Sequence, residues 1–200
     1  MKKVSIHLIL VCVFSFGCTN NSPEKKPAAD TLITATDNII SNSLPKADTV
    51  SVLENYDEIG FELLKTESIG ELKIGLSGIK IKELIGEPEE KSKAEEWGAD
   101  GEIHQNWIYK KEGVSLEMIG KDVSNQLINS ITITAPFKFK TSRQIGIGSL
   151  IEEVKTAYDK EIDKSGSDSD NIVAGSVYGG IIFNFEEGKV KGVFIGSGAE

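Results

Sequence analysis

The segment from Lys93 to Tyr109, KAEEWGADGEIHQNWIY, gathers Glu95, Glu96, Asp100, Glu102 and His104 around Trp97 and Trp107. Paired carboxylates can divide acid and base work at a glycosidic bond, and an aromatic ring offers a sugar a flat platform. The same residue types suit a plainer alternative, a polar loop leading into a strand whose Trp107 and Tyr109, two positions apart, face a core. We prefer the plainer one. A small-ligand or glycan site built from Trp97, Trp107 and Tyr109 is kept as the alternative. Turnover of a cell-wall glycan that disappears on replacing Glu95, Glu96 or Glu102 would reverse the choice.

A second acidic stretch, DKSGSDSDNI, sets Asp163, Asp168 and Asp170 close enough in sequence to offer oxygens to calcium. Counted from Asp163, the sixth position of a calcium loop holds Asp168 where glycine is needed, and the twelfth holds Ala174 in place of an acid. An ordinary solvated loop is expected, with no metal. The glycines at 146, 148, 175, 179 and 180 do not form a phosphate-binding G-x-x-x-x-G-K-[ST], so no nucleotide or other cofactor is expected.

The chain opens with MKKVSIHLILVCVFSFGC: Lys2 and Lys3, an apolar run from Ile6 to Phe16, then Gly17 before Cys18. That is the layout of a secretory signal, and the run is about half of the ~20 residues that cross a bilayer as a helix. Removal of residues 1–17 would take Cys12 and His7 with it, leaving Cys18 and His104 as the remaining cysteine and histidine. An intrachain disulfide and a Cys/His zinc cluster are then excluded, and a Ser-His-Asp centre would have to use His104. No enzymatic activity is expected. Without Lys2 and Lys3, 20 basic residues face 31 acidic ones, a net charge of −11. Such a surface repels phosphate backbones, so no nucleic acid is expected as a partner.

A cysteine directly after the cleavage position resembles the lipobox of bacterial lipoproteins. Gly17 and Cys18 match it, while Ser15 and Phe16 stand where leucine and a small residue are usual. The resemblance implies that Cys18 is acylated and anchors the chain in the bacterial cell envelope, since each buried CH₂ of an acyl chain contributes about 0.8 kcal/mol. Thr19, where an aspartate would imply inner-membrane retention, points to the outer membrane. Residues 18–49 contain Pro23, Pro27 and Pro45 among many Ser, Thr, Asn and Asp, which suits a flexible tether. Residues 50–200 then form the body, enough chain for one core.

Within the body, IGLSGIKIKELIGEP (Ile74 to Pro88) and IGIGSLIEEVKTAYD (Ile145 to Asp159) align with an offset of 73. Ile81, Leu84 and Ile85 match Val154, Ala157 and Tyr158, each set forming one apolar helix face at spacings i, i+3, i+4. Ser77 is placed to cap the first helix, Gly86 and Pro88 to end it, and Ser149 with Glu152 to form a capping box on the second. GVSLEM (113–118) aligns with GIIFNF (180–185) at an offset of 67, and Ile131 and Ile133 with Val193 and Ile195 at 62. The alternation agrees in phase, with Val114, Leu116 and Met118 inward in one copy and Ile181, Phe183 and Phe185 in the other. Two tandem units, about 70–136 and 141–198, are expected. Each holds a short helix, an early strand and an apolar-faced hairpin, together an α+β body with helices on one face of antiparallel sheet.

The opening of the first unit resembles SmpA/OmlA-type small outer-membrane lipoproteins, in which G-L-S leads into a helix ending in L-G-x-P. Gly75, Leu76, Ser77, Ile81, Leu84, Gly86 and Pro88 match, and Trp107-Ile108-Tyr109 falls where that family has W-x-Y. The tandem arrangement is similar to the β-lactamase-inhibitor-protein-like fold. The resemblance covers residues 72–88 closely and the rest by layout. It implies an envelope domain that binds another protein, as an assembly accessory or an enzyme inhibitor. Strand parity offers a surface for such a partner. Ile182, Asn184 and Phe194 point away from the core, where the first unit has Ser115, Glu117 and Thr132. The envelope partner is therefore expected to bind at Ile182, Asn184 and Phe194.

Overall fold

The computed structural model describes residues 48–198, and in the first helix the side chains from residue 55 onward. The signal segment, Cys18 and nearly all of the expected tether lie outside the described residues. Within the described residues, three helices and eight strands make an α+β fold: α1 (Asp48–Thr66), α2 (Gly78–Ile85), β1 (Glu90–Lys91), β2 (Glu95–Glu96), β3 (Ile103–Tyr109), β4 (Val114–Gly120), β5 (Leu127–Thr134), α3 (Ile151–Ala157), β6 (Asn171–Ser176), β7 (Gly179–Glu186) and β8 (Lys189–Gly196). All strand pairs are antiparallel, in the order β1-β3-β4-β5-β8-β7-β6, with β2 also pairing with β3.

The inward residues expected from alternation are the ones that are buried. Val114, Leu116, Met118, Ile131, Ile133, Ile181, Phe183, Phe185, Val193 and Ile195 share one core with Leu63 of α1, Ile81 of α2 and Val154 of α3. The helices therefore cover one face of the sheet, and the other, called the open face below, is partly covered by Trp97 on His104 and by the chain near Gly198. Complete burial of a side chain of this size contributes about 1.5–3 kcal/mol, so this single layer carries most of the hydrophobic stabilisation.

Helix α2 starts where the sequence places it. Ser77 Oγ accepts a hydrogen bond from Lys80 N at 3.3 Å, and the chain leaves the helix at Gly86. Helix α3 departs by one residue. Its N-cap position is Leu150, whose N–H donates to Glu153 Oε2 at 2.6 Å, while the Ser149 hydroxyl accepts from Gly146 N. The acid that reaches back is thus Glu153, and the Ser149/Glu152 capping box does not form.

The two halves make the same main-chain contacts. Gly75 N donates to Ile128 O, Ile128 N to Leu76 O and Gly78 N to Gln126 O, at 2.8, 2.9 and 2.9 Å. In the second half Gly148 N donates to Val190 O, Val190 N to Ser149 O and Ile151 N to Gly188 O, at 2.8, 2.8 and 3.0 Å. Every donor and acceptor is displaced by 73 residues before the helix and by 62 in the last strand. Gly75 and Gly148 both have positive φ, 80° and 86°, which a side chain would resist. The register shift in β4 at Glu117/Met118 recurs in β7 at Asn184/Phe185, 67 residues later.

The expected repeat assigns no element to residues 50–69, and the structure puts α1 there, packed on β6 and β7. Glycines permit the close approach. A Cβ on Gly60 would stand 1.7 Å from Gly179 O, and one on Gly175 would stand 2.4 Å from Gly60 Cα. At the end of α1 the buried Glu67 accepts from Tyr158 Oη (2.9 Å) and Ser142 N (2.9 Å), tying α1 to α3 and to the segment joining the halves. Arg143 completes the joint, with Nη1 donating to Ala157 O at 2.8 Å and its guanidinium paired with Glu161.

Candidate functional site

Strand β3 alternates Ile103, Gln105, Trp107 and Tyr109 toward the helices with His104, Asn106 and Ile108 toward the open face. This parity divides the aromatic residues that the glycan alternative would combine. Trp107 and Tyr109 are 3 % and 1 % exposed. Trp107 packs its ring edge under Gly78, lies beneath Lys91 Nζ at 4.1 Å, and donates from Nε1 to Gln105 Oε1. Tyr109 Oη donates to Gly86 O at the end of α2. Neither reaches the side of the sheet where Trp97 lies, so the alternative site built from Trp97, Trp107 and Tyr109 does not form, and Trp107 and Tyr109 are core as preferred. The period-two spacing sends 107 and 109 to the core together.

Trp97 belongs to an arm, residues 90–102, that turns back along β3. Glu95 and Glu96 of β2 face His104 and Ile103 across the ladder. The tip is closed by Trp97 N donating to Glu102 O and Gly101 N to Trp97 O, and by the Asp100 carboxylate, which accepts from Glu102 N at 2.9 Å. This lays the indole flat on the imidazole of His104, with ring centroids 3.8 Å apart and planes 5° from parallel.

His104 is 6 % exposed, and each ring nitrogen meets a carboxylate: Nδ1 lies 3.1 Å from Glu117 Oε1, and Nε2 lies 2.9 Å from Asp100 Oδ2. Glu117 Oε2 in turn accepts from Asn129 Nδ2 at 3.0 Å and Ser130 Oγ at 3.2 Å. Burial opposes the charged imidazolium, but hydrogen bonds and charge from Asp100 and Glu117 outweigh it, and the pKa is raised above 6.5. The Asp100 pKa is lowered, first by the Glu102 N–H and then by His104. With two carboxylates accepting, the arrangement is complete when both nitrogens carry protons, and it then leaves no lone pair for general-base work. Of the other acids in the segment, Glu95 lies 3.6 Å from Lys93 and Glu102 lies 2.6 Å from Lys121, while Glu96 is exposed. Beside the stacked pair is a cavity of about 250 Å³ lined by Ser92, Glu95, Trp97, His104, Asn106 and Glu117.

The sequence does not reveal Glu117 as a partner of His104. The two are 13 residues apart, and what joins them is the β3–β4 register, which sets His104 opposite Ile119 and Glu117 one step diagonally away.

The open face has a central row that crosses all six long strands, Ile108–Ser115–Thr132–Phe194–Ile182–Val173, each residue opposite the next. No member is charged, and Val173 at one end is buried, 2 % exposed. Ile182 and Phe194, two of the three residues expected to bind a partner, are therefore direct neighbours. Both are half-buried, and the chain near Gly198 passes over them, so that a Cβ there would come within 3.3 Å of Ile182 and 3.6 Å of Phe194. Asn184, the third, lies in an adjacent row, where its Nδ2 donates to Asn171 Oδ1.

The 163–170 loop uses its acids internally. Asp163 Oδ1 accepts from Ser165 N and Oγ, and Asp168 Oδ1 accepts from Asp170 N and Asn171 N. Among the described residues no group of three or more His, Cys, Asp or Glu side chains is placed to hold a metal ion. No described helix is long and apolar enough to cross a membrane. Comparison of the chain with protein-family models, with curated proteins and with solved structures returns no match.

Proposed function

We propose that the chain is a lipid-anchored bacterial envelope protein of the outer membrane, held by Cys18 after removal of residues 1–17. Its body acts as a non-enzymatic protein-binding scaffold or inhibitor-like module. In this proposal the body is a tandem of two units of the kind found in SmpA/OmlA-type lipoproteins, joined as in the β-lactamase-inhibitor-protein-like fold. The matched main-chain hydrogen bonds at offsets of 73 and 62 residues support that duplication. The expected tether, residues 18–49, gives way to α1 at Asp48, so in this proposal residues 18–47 join the body to the membrane.

One observation carries the binding role. In a chain whose residues are 26 % charged, the row of side chains across the open sheet is uncharged and has Phe194 and Ile182 near its centre. Charged residues are depleted and aromatic ones enriched at the centre of protein interfaces. An anchor such as Phe194 can contribute around 2 kcal/mol there. A protein partner with an apolar tip and a neutral surround fits this face.

The test is site-specific photo-crosslinking in intact envelopes, with a photoreactive phenylalanine at position 194 or 182, and at position 156 on the exposed side of α3 as control. A single discrete adduct from 194 and 182 that is absent from 156 is the expected result. Adducts of equal pattern from all three positions would refute the docking face. Recovery of Cys18→Ser in the membrane fraction with an unmodified N-terminus would refute the anchor.

A further inference from the structure

We propose that His104 is a proton-operated clasp: protonated, it holds the tip of the arm, residues 97–101, against the open face through Asp100 and Trp97, and neutral, it releases that tip while β2 stays paired with β3. The clasp is independent of which partner docks on the sheet.

The geometry requires two protons. An imidazole ring presents one N–H when neutral and two when charged. Both neighbours are carboxylate oxygens, at 2.9 and 3.1 Å, and neither can donate when ionised. Loss of one proton turns a hydrogen bond into a lone pair facing an anion. The two partners are not equally able to leave. Glu117 sits on the sheet, with a side chain 19 % exposed and two further donors in Asn129 and Ser130. Asp100 sits at the turn of the arm, with a side chain 39 % exposed and Oδ2 facing His104. The remaining N–H stays with Glu117, and Asp100 turns to water. Trp97 leaves with it, because its indole is held by stacking on the cationic ring, which weakens when the charge goes.

Every charged group facing the ring favours its proton or is itself paired. The arm presents Asp100 and Glu95, the latter beside Lys93, and Glu102, which is bound to Lys121 of the β4–β5 turn. Strand β4 presents Glu117, and β5 presents the neutral Asn129 and Ser130. The more tightly the closed form holds the His104 proton relative to the open form, the more the open arm is favoured at high pH, about tenfold for each pH unit between the two pKa values. Opening uncovers His104 and widens the neighbouring 250 Å³ cavity.

Trp97 reports the event directly, since a stacked imidazolium quenches indole emission and shields it from solutes. The experiment follows acrylamide quenching of the full chain from about pH 5.5 to about pH 9, with Trp97→Phe subtracted to remove Trp107. The expected result is a one-proton rise in Trp97 accessibility centred above pH 6.5, the ordinary histidine value. Far-UV circular dichroism should stay unchanged across it. His104→Gln should give a flat profile, and Asp100→Asn, at an exposed site, should move the midpoint down toward 6.5. A flat wild-type profile, a transition that survives in His104→Gln, a midpoint unmoved in Asp100→Asn, or loss of circular dichroism with the same midpoint would each overturn the clasp.

Discussion

Thr132 and Phe194 stand opposite one another in the β5–β8 ladder, and they lie 62 residues apart, the offset that relates the last strands of the two proposed units. Their neighbours obey the same exchange. Ile131 faces Ile195, which matches Ile133 at the same offset, and Ile133 faces Val193, which matches Ile131. This is the pattern of an isologous contact, made within one chain. In the proposed duplication the two-fold passes between Thr132 and Phe194, on the sheet face away from the helices. At that axis one half supplies a small polar side chain and the other a large aromatic one.

The face and the core can be separated by neighbouring substitutions on β8. Phe194→Asp alters the open side and should cost about 1 kcal/mol, since only part of the ring is covered. Ile195→Asp puts an unpaired carboxylate at a position 1 % exposed and should cost about 4 kcal/mol or more. Urea midpoints of the two variants measure the difference. The first should retain the fold and lose the photo-crosslinked adduct. Equal destabilisation by both would place Phe194 in the core and undo the proposed docking surface.

Gly60 tests how α1 is held. A Cβ at this position has no room against Gly179 O, 1.7 Å away, and the obstacle is backbone that cannot rotate aside. Helix propensity alone would make Gly60→Ala stabilising by about 1 kcal/mol. Overpacking should win, with a net loss of about 2 kcal/mol as α1 lifts from the β6–β7 hairpin. Chemical denaturation reads the sign, and a stabilised variant would show that α1 does not approach the sheet this closely.

Tyr158→Phe removes one donor from the buried Glu67, whose Oε2 would then have Arg143 Nε at 3.7 Å as its nearest charge partner. The hydroxyl is buried and the ring keeps its place against Phe183, so the change isolates one hydrogen bond to a charged group. A loss of about 2 kcal/mol is expected. Adding Glu67→Gln should lessen the penalty, because a neutral amide costs less to leave short of a donor. A double-mutant cycle that came out additive would show that the two side chains are not coupled.

The regular parts of this fold were legible because each burial pattern has its own period. Ile81, Leu84 and Ile85 mark a helix face, Val114, Leu116 and Met118 a strand face, and Val154, Ala157, Tyr158 with Ile181, Phe183, Phe185 show the same two periods. Trp107 and Tyr109 are assigned to the core by the same parity. Capping is less legible. Ser149 and Leu150 both precede an acid at the right spacing, and tertiary contact, Ser149 turning to Gly146, decides between them. Helix α1 lies outside the repeat, and Gly60 at its middle reads as a breaker until the opposing Gly175 and Gly179 are seen. The environment of His104 depends on long-range register. Nothing in a linear chain tells that Glu117 and Asp100 will approach the ring from opposite sides.

That environment ties stability to pH in a fixed direction. His104 has a raised pKa in the fold, because the contributions of Asp100 and Glu117 exceed the cost of burial. A histidine that binds its proton more tightly when folded adds stability that is fully present below its unfolded pKa of about 6.5. The contribution disappears as pH rises through the higher folded value. Unfolding free energy of the wild type should therefore fall as pH rises from about 6.5 through the raised folded value, by about 1.4 kcal/mol for each pH unit that separates the folded from the unfolded pKa. His104→Gln should lose this slope while keeping the acid-side behaviour set by the carboxylates. Glu117→Gln should flatten it in part, since Asp100 remains. Denaturation curves at matched ionic strength across this range measure all three. A wild type whose stability rises with pH there would show that burial outweighs the two carboxylates and that His104 is neutral in the fold.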